Sequence, residues 1–549
     1  MPTVVTHVAA ALSQHIRTVF GVMGNGNAHF IDALERTSAA EFVAVRHEAG
    51  GVVAADAFSR AGGGIAAATA TYGAGFTNTL TALAEAVQAR VPLMLVVGDE
   101  PTSGPRPWDV DQVALASGVG ARTYTVGRTD AAATTLLAIE HALQFRVPTV
   151  LAIPYDVGTL EAGPVQPTPE LRSAPKAPVS TFMQLAVGDA ATALANAERP
   201  FLLAGRGAWL AGASGTLGAL AEATGALTAS TALGRGVFPD GRYDLGVTGG
   251  FGTDAATELI RQADVVVVFG ASLNQFTMRF GALFAPTTRV IQVDLAPTAT
   301  HPHVGTYLRG DVADVAEALL AGVRGAGTTP SRWRDTAPLE NVRQHDPGTG
   351  LADDGLLDPR SAAARIGELL PANRVVVSDG GHFIGWANMY WPVASPERMV
   401  MVGTAYQSIG FGFPSVPGAA FARPDATVVL TTGDGGGLMA LADLETAVRV
   451  ARGRGLAVVW NDAAYSAEVH VYGSKGLTRE PMMIPQVDFA ALAASVGARG
   501  VVVRRVSDLD VLREWSALPA TERPFLLLDL RVSGTVIAPY QHEIMALNR

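Results

Sequence analysis

The sequence predicts an α/β protein built from three doubly wound domains, each with a parallel sheet. Short continuous apolar runs alternate with segments of helical periodicity along the chain, for example EFVAVR, PLMLVVGD, ADVVVVFG and LAVVWND. Continuous apolar strands separated by helices are typical of parallel sheets covered on both faces. Two stretches rich in proline or polar residues, 154–180 and 325–355, interrupt this pattern. We therefore expect domains at 1–160, 181–330 and 356–549.

The composition restricts the class of function. Of the 549 residues, 48% are hydrophobic and 16% are charged, which is typical of a globular protein with large cores. The formal net charge is −10 and no basic stretch occurs, so we expect neither nucleic acid nor an anionic membrane as a partner. The sequence has no cysteine, which excludes disulfides and thiolate chemistry. The first 20 residues lack the features of a signal peptide, and we predict a soluble cytoplasmic protein.

An aspartate interrupts the glycine-rich turn LTTGDGGGLM at 430–439. The run ATVVLTT before it predicts a strand, the segment after it has helical spacing, and LAVVW predicts a second strand that ends at Asn461. A right-handed crossover makes the two strands parallel, so we expect Asp434 and Asn461 at the same carboxyl edge of the sheet. Glycine N–H groups at a helix start favour an anion, which the aspartate would repel unless a cation lies between them.

A metal–diphosphate pair satisfies both features of this turn. Gly435 and Gly436 would face the phosphate groups, while the oxygens of Asp434 and Asn461 are hard ligands suited to Mg²⁺. A dinucleotide fingerprint is excluded because Leu438 stands where glycine is needed, and a P-loop is excluded because Lys-Ser/Thr is absent. The remaining alternative is an ordinary tight turn whose aspartate caps a helix.

The Gly-Asp-Gly turn and Asn461, which follows Asp434 by 27 positions, resemble the cofactor motif of thiamine diphosphate (ThDP) enzymes. Over its whole length, the sequence is similar to ThDP-dependent 2-oxo acid decarboxylases and carboligases of the acetolactate-synthase type. The resemblance implies a pyrimidine-binding first domain, a central Rossmann-like domain and a diphosphate-binding third domain. It also implies a third metal ligand two residues after the asparagine, the backbone carbonyl of Ala463.

Glu48 lies in the stretch FVAVRHEAGGVVAADAFSRAGG (42–63), between a strand-like run and a helix of small residues. Taken alone, it is best explained as a surface or capping glutamate. The stretch resembles the family turn whose glutamate bonds the aminopyrimidine ring, which implies that Glu48 favours the imino tautomer that deprotonates C2. In the family, domains of different subunits share one cofactor. A homodimer or homotetramer is therefore implied, with Glu48 facing the partner's Asp434.

Further cofactor contacts are implied by the resemblance alone. The stretch YQSIGFGFPSVPGAAFA (406–422) is similar to the segment that holds the cofactor bent, with Ile409 under the thiazolium ring. A core isoleucine is the alternative. Gln407 falls where the family usually has glycine, whose carbonyl meets the 4′-amino group. The stretch SDGGHFIGW (378–386) is similar to a diphosphate segment, in which His382 would contact phosphate or substrate, although a structural histidine explains it nearly as well.

Residues on the substrate side are predicted from one loop and from isolated polar positions. The loop GVMGNGNAHF (21–30) matches the one that faces the thiazolium, and Asn25 and Thr71 stand where simple decarboxylases carry aspartate, serine or histidine. The usual proton relay is therefore missing, which favours attack on a second carbonyl. The other polar candidates, each also explained by a surface or core position, are His29, Gln112, Glu468 and His470. The last two share a face if their stretch is extended and diverge if it is helical.

We predict a Mg²⁺- and ThDP-dependent carboligase that decarboxylates a pyruvate-like 2-oxo acid and transfers the acyl anion to a carbonyl acceptor. The candidate catalytic residues are Glu48, Asn25, Gln112, His382 and Glu468. The alternatives are a simple 2-oxo acid decarboxylase, a 2-hydroxyacyl lyase and a non-catalytic ThDP-binding homologue. Glycine turns and the run VIQVD in the central block are common to Rossmann-like domains, so they leave FAD or ADP there as the less favoured alternative.

Overall fold

The computed structural model describes residues 1–37, 39–167, 169–172 and 181–548. Positions 168 and 173–180 of the predicted first linker lie outside these residues. The described chain forms three six-stranded sheets in which neighbouring strands run parallel, so the predicted fold class is confirmed. The sheets fall inside the three predicted blocks, while the block boundaries stay predictions.

The eighteen strands found among the described residues divide equally among the sheets. The first sheet contains β1 (Thr18–Gly21), β2 (Glu41–Ala44), β3 (Ala66–Ala70), β4 (Leu93–Asp99), β5 (Arg122–Thr125) and β6 (Thr149–Pro154). The second contains β7 (Pro200–Ala204), β8 (Leu227–Ser230), β9 (Asp244–Val247), β10 (Val265–Phe269), β11 (Arg289–Asp294) and β12 (Val304–Arg309). The third contains β13 (Arg374–Ser378), β14 (Met399–Val400), β15 (Thr427–Gly433), β16 (Gly455–Asn461), β17 (Arg499–Val503) and β18 (Leu526–Arg531). Their orders are β2-β1-β3-β4-β6-β5, β12-β11-β10-β7-β8-β9 and β14-β13-β15-β16-β18-β17.

Helices alternate with the strands in each block. The first block contains α1 (Val4–Ser13), α2 (Ala28–Thr37), α3 (Glu48–Phe58), α4 (Ala74–Thr77), α5 (Leu80–Gln88), α6 (Gln112–Gly118) and α7 (Ala131–Phe145). The second block contains α8 (Thr181–Ala195), α9 (Arg206–Leu210), α10 (Ser214–Thr224), α11 (Asp254–Arg261) and α12 (Val312–Ala326), and α13 (Trp333–Thr336) lies in the stretch that follows it. The third block contains α14 (Pro359–Leu369), α15 (Ile384–Tyr390), α16 (Gly412–Ala422), α17 (Asp434–Met439), α18 (Leu444–Ala451), α19 (Ser466–Val471), α20 (Phe489–Ser495), α21 (Asp510–Ala517) and α22 (Pro539–Leu547). Among the described residues, none of these helices has the length and apolar character needed to cross a membrane.

The first and third sheets share one apolar core. Successive side chains of a strand point to opposite faces, so alternate residues of a buried strand enter different cores. In β15, Val428 and Leu430 belong to one core and Val429 to another. The core of Val428 and Leu430 also contains Phe20 and Val52 of the first block. The two blocks that carry the predicted cofactor residues are therefore packed together within one chain.

Helices α3 and α16 meet at very close range. A β-carbon on Gly418 of α16 would lie 1.9 Å from the carbonyl oxygen of Ala54 in α3, so only glycine permits this approach. One on Gly50 would lie 2.3 Å from the carboxylate of Asp443. The contact fixes the start of α3, where Glu48 lies, relative to the third block of the same chain.

A buried ion network joins the same two blocks. Arg60, just after α3, pairs with Asp56 and donates to Glu85 at 2.7 Å. It also donates to the carbonyl of Met401 at 2.7 Å, while Glu85 accepts the backbone N–H of Tyr406 at 2.6 Å. The network anchors the chain immediately before the segment predicted to hold the cofactor bent.

Candidate active site

Asp434 and Asn461 lie at the carboxyl ends of two neighbouring strands. Strands β15 and β16 pair in parallel as predicted, with Gly433 opposite Trp460, but the glycine run is itself helical and two helices, α17 and α18, connect the strands instead of one. Asp434 opens α17 directly after β15, and Asn461 is the last residue of β16. Their exposed fractions are only 3% and 1%. The fold thus places a carboxylate and a carboxamide at one buried edge of the third sheet.

Each of these two side chains keeps one buried oxygen that has no hydrogen-bond partner in the described part of the chain. The atoms are Oδ2 of Asp434 and Oδ1 of Asn461. Oδ1 of Asp434 accepts the N–H of Gly435 at 2.8 Å, and the Asn461 amide nitrogen donates to the carbonyl of Val487 at 2.9 Å. An unsatisfied buried polar group costs about 1–3 kcal/mol. Two such oxygens on neighbouring strands fit a hard cation such as Mg²⁺.

The local electrostatics also favour a cation. Burial, followed by the negative charge of Asp462, raises the pKa of Asp434 to about 7. Burial likewise raises the pKa of Asp462 to about 6, and its carboxylate accepts the hydroxyl of Ser466 at 2.5 Å. Two carboxylates in a low dielectric repel each other, and a bound cation relieves this repulsion. In the described chain no cluster of three or more His, Cys, Asp or Glu forms a metal site, so a cation here would also need amide or backbone oxygens.

A cavity of about 80 Å³ lies beside Asp434. Six predicted residues line it, namely His382, Ile409, Asp434, Gly435, Gly436 and Glu468. A β-carbon on Gly435 would lie 2.6 Å from the ring of Tyr465, and one on Gly436 would lie 2.6 Å from the carboxylate of Asp379. The two glycines therefore keep a narrow cradle of bare backbone, which fits a diphosphate group.

The first-block candidates do not line this cavity, whose described lining comes from the third block. Glu48 is the half-buried first residue of α3 and accepts the side-chain N–H of Asn78 at 3.0 Å. Gln112 is 4% exposed, and its carboxamide accepts the N–H of Gly73 and donates to the carbonyl of Gly98, both at 2.9 Å. The carboxamide of Gln112 thus connects the segment after β3 to the end of β4 within its own block, and a catalytic role for it stays a prediction.

Sequence profiles of known families match all three blocks. The N-terminal TPP-binding domain of thiamine pyrophosphate enzymes matches residues 2–115, the central domain matches 187–319, and the C-terminal TPP-binding domain matches 379–527. The chain belongs to the thiamine pyrophosphate enzyme family. Thiamine pyrophosphate is another name for ThDP, so the family's cofactor is the one predicted from the motif.

Known relatives of this ThDP enzyme are similar over nearly its whole length. It is 26% identical to the acetolactate synthase isozyme 3 large subunit of Escherichia coli, over 96% of this chain and 94% of the relative. It is 28% identical to an acetolactate synthase of Mycobacterium bovis, over 92% of this chain and 84% of the relative. A solved ThDP-dependent 4-hydroxybenzoylformate decarboxylase of Rhodococcus jostii superposes with a TM-score of 0.79 at 21% identity, covering 97% of this chain and 99% of that one. This last likeness shows the fold.

Ala463, the predicted third metal ligand of this ThDP enzyme, has a left-handed backbone with φ of 57°. Its carbonyl accepts the N–H of Ile484 at 2.8 Å. A carbonyl oxygen has two lone pairs, so one remains for a metal ion. Ligation by Ala463 stays a prediction.

Asp379 is a candidate that the sequence analysis does not single out. It follows β13 and is fully buried. One carboxylate oxygen accepts the N–H groups of Gly380 at 2.8 Å and Gly410 at 3.0 Å, and the other accepts the hydroxyl of Thr432 at 3.1 Å. It therefore attaches the segment around Ile409 to the carboxyl edge of the sheet. In the sequence, this role is indicated by an aspartate that directly follows an apolar strand.

Ile409 and Gln407 lie on this attached segment. Ile409 is 38% exposed and lines the cavity, which argues against a simple core position. Gln407 has a φ of 58°, in the left-handed region that favours glycine. The backbone thus retains a glycine-like conformation where the family resemblance expects glycine. Both cofactor roles stay predictions.

His382 connects the cavity to the C-terminal helix α22. Its Nε2 accepts the N–H of Ala538 at 3.0 Å, and its carbonyl accepts the hydroxyl of Tyr540 at 2.6 Å. Burial, then the neighbouring histidines, lowers the pKa of His382 to about 3, so the ring is neutral with its proton on Nδ1. Because residues 466–471 are helical, Glu468 and His470 diverge. Glu468 lines the exposed mouth of the cavity, whereas the ring of His470 packs 4.8 Å from that of His382.

The predicted substrate loop brings Asn25 to a tyrosine. The Asn25 amide donates to the hydroxyl of Tyr72 at 2.7 Å, and the Arg106 guanidinium lies 4.0 Å from the centre of the Tyr72 ring. The hydroxyl of Thr71 instead accepts the N–H of Gly26 at 2.9 Å, within the loop. Tyr72 thus places a hydroxyl beside Asn25 that the sequence does not single out, although Tyr72 is the chain neighbour of Thr71.

Proposed function

We propose that this ThDP enzyme is a Mg²⁺-dependent carboligase that decarboxylates a pyruvate-like 2-oxo acid and transfers the acyl anion to a carbonyl acceptor. The observation that carries the cofactor assignment is the pair of buried oxygens without described partners on Asp434 and Asn461. The similarity to acetolactate synthases supports carboligation as the outcome.

The third block would hold the metal and the diphosphate. Asp434, Asn461 and the carbonyl of Ala463 would ligate Mg²⁺, whose charge would offset that of the diphosphate. Gly435 and Gly436 line the cavity and carry no side chain, so their backbone N–H groups would be accessible to the diphosphate. These residues would bind and orient the cofactor, and none of them would take part in the reaction.

The remaining proposed contacts concern the two rings of the cofactor. Bound ThDP supplies the nucleophilic carbon and the electron sink for decarboxylation. Ile409, exposed in the cavity, would support the thiazolium ring, and the carbonyl of Gln407 would meet the 4′-amino group. Glu48 would hydrogen-bond the pyrimidine ring and hold the proton that selects its imino tautomer. His382, with its proton on Nδ1, would contact phosphate or substrate.

A second copy of the chain would complete this site as a homodimer or homotetramer. The cavity's described lining comes from the third block, so Glu48 has to be supplied from elsewhere. Met23 and Trp108, which follow strands of the first sheet, are 61% and 59% exposed, and Tyr406 and Met439 of the third block are 51% and 56% exposed. Large apolar side chains that flank two half-sites are suited to burial on association.

Hybrid dimers test the shared site. Co-expression of two differently tagged chains, one with Glu48→Gln and one with Asp434→Ala, should give hybrids in which one of the two sites combines both native residues. We expect these purified hybrids to recover ThDP-dependent turnover of about half the wild-type level, because one site of two is intact. Each variant expressed alone under both tags is the control. Inactive hybrids would place Glu48 and Asp434 in the same chain's site.

Carboligation is supported by the groups at the substrate loop. Neither Asn25 nor Thr71 carries a carboxyl or imidazole that exchanges protons readily near neutral pH. The acyl anion would therefore meet a carbonyl acceptor before it meets a fast proton donor.

The product type tests this proposal. Purified protein with ThDP, Mg²⁺, an accepted 2-oxo acid and a carbonyl acceptor should form mostly acyloin or acetohydroxy acid and little free aldehyde. A panel of 2-oxo acids, scored for CO₂ release and for carbon–carbon products by chromatography, measures the ratio. Reactions without ThDP are the control. Mostly aldehyde in the presence of acceptor would contradict the carboligase and leave a decarboxylase.

The second candidate is a simple 2-oxo acid decarboxylase, which Tyr72 favours. Its hydroxyl, 2.7 Å from the Asn25 amide, is a proton donor at the predicted substrate loop. The same panel distinguishes the two, since aldehyde is the product of protonation. Cleavage of 2-hydroxyacyl compounds would indicate a lyase, and ThDP binding without turnover of any substrate would indicate a non-catalytic homologue.

A further inference from the structure

Asn461 is held in one orientation by its amide nitrogen. This nitrogen donates to the carbonyl of Val487 and to Oδ1 of Asp529, each at 2.9 Å. Both partners are acceptors, so a flipped amide would place its oxygen against two other oxygens. The side-chain oxygen of Asn461 must therefore point away from them, and it is the buried atom without a partner among the described residues.

Asp529 is built to act only as an acceptor. It lies on β18, the neighbour of β16 opposite to β15, and is fully buried. Its Oδ2 accepts the N–H of Phe489 at 3.1 Å and the guanidinium of Arg531 at 2.7 Å. Because Oδ2 is paired with the Arg531 guanidinium, Oδ1 is the oxygen that faces Asn461, and a carboxylate oxygen accepts hydrogen bonds but donates none. Asp529 thus determines which end of the Asn461 amide faces away from it.

We propose that Asp529 is a positioning residue for the metal site, which holds the Asn461 amide so that its oxygen, and not its nitrogen, faces the cation beside Asp434. The inference rests on the Mg²⁺ site of the proposed function and goes beyond it, because Asp529 lies behind the ligand and does not touch the metal. An amide NH₂ group turned toward the cation would repel it. Partners behind a metal ligand typically contribute roughly 10–100-fold in metal affinity.

The variant Asp529→Asn tests this role. Asparagine keeps the shape but has one acceptor oxygen, which cannot serve Asn461, Phe489 and Arg531 together. We expect the Mg²⁺ affinity, measured by calorimetric titration in saturating ThDP, to fall roughly 10–100-fold. Should this variant fail to fold, Asp529→Ser, whose smaller side chain admits water, is titrated with the same expectation. Thermal unfolding without metal is measured for every variant.

Asp358 offers a matched control in the same block. It is fully buried and pairs with the arginine two residues later, Arg360 at 2.7 Å, as Asp529 pairs with Arg531. Its carboxylate accepts the side chain and the backbone N–H of Arg360 at the start of α14, and none of its described side-chain hydrogen bonds reaches Asn461, Val487 or Asp529. Asp358→Asn should therefore lower the metal-free unfolding temperature while it keeps the wild-type Mg²⁺ affinity.

Three results separate the possibilities. Wild-type Mg²⁺ affinity in folded Asp529→Asn overturns the positioning role, and equal loss of affinity in Asp358→Asn overturns it as well, since that would be general destabilisation. Wild-type Mg²⁺ affinity in Asp434→Ala would instead show that the metal site itself is wrong. If Asp434→Ala loses the metal and Asp529→Asn does not, the metal site stands and only the inference about Asp529 fails.

Discussion

Replacement of Asp434 by alanine should abolish the retention of Mg²⁺ and ThDP. Asp434 supplies the charged ligand of the proposed set, and its Oδ2 has no other partner in the described chain. Loss of a partner behind a ligand costs roughly 10–100-fold in metal affinity, so loss of the charged ligand should cost more than about 100-fold. Calorimetry with ThDP and Mg²⁺ together measures the change. Binding unchanged from wild type would contradict the assignment of Asp434.

The same replacement should leave the metal-free fold intact. Burial raises the pKa of Asp434 to about 7, which shows that the folded protein holds this charge at a cost. Alanine removes that cost, so the unfolding temperature of the metal-free variant should equal or exceed that of the wild type. Asp425→Ala is a suitable control, because this exposed aspartate lies just before the start of β15, away from the carboxyl edge. It should bind cofactor as the wild type does.

Replacement of Glu48 by glutamine should slow the ionisation of ThDP at C2 by ~10²–10⁴ while the cofactor stays bound. Glutamine has nearly the same shape. Its amide oxygen can still accept the side-chain N–H of Asn78, which Glu48 accepts at 3.0 Å in the native protein. An amide does not exchange a proton with the ring nitrogen, so the imino tautomer loses its support. Proton–deuterium exchange at C2 of bound ThDP, followed by acid quench and NMR, measures the rate.

The control for Glu48 is a glutamate at the other edge of the same sheet. Glu35 accepts the N–H of Phe42 at the start of β2, so Glu35→Gln makes the same atomic change away from the carboxyl edge. It should exchange C2 at the wild-type rate. If Glu48→Gln also does so at full occupancy, Glu48 is not the activating carboxyl group. The pyrimidine ring would then lie elsewhere.

Asp434 and Asn461 were predictable because their relation is local. A strand, a glycine turn, a helix and a second strand follow one another, and a right-handed crossover brings the carboxyl ends of the two strands to one edge. The structure confirms that β15 and β16 are parallel neighbours. The same local logic predicted the alternating strands and helices of all three sheets.

Other residues could not be assigned in this way. Gln112 was proposed as a catalytic candidate from its residue type alone, and the structure shows its carboxamide bonded to Gly73 and Gly98. The sequence does not indicate that Asp529 contacts Asn461, because this hydrogen-bond partner lies 68 positions away in the chain. The strand pattern of the sequence does not predict that β18, rather than β17, lies beside β16.

By itself, the sequence determined the α/β class, the parallel sheets and the position of Asp434 and Asn461 at one sheet edge, because periodicity and short spacings encode strands, helices and the ends of adjacent crossovers. The tertiary structure decided which oxygens lack a partner among the described residues, that Ile409 is exposed in a cavity, and that Asp379 and Asp529 hydrogen-bond Gly410 and Asn461. These depend on strand order and on hydrogen bonds between segments distant in the chain. Such partners are selected by the packing of the whole domain, which local sequence patterns do not specify.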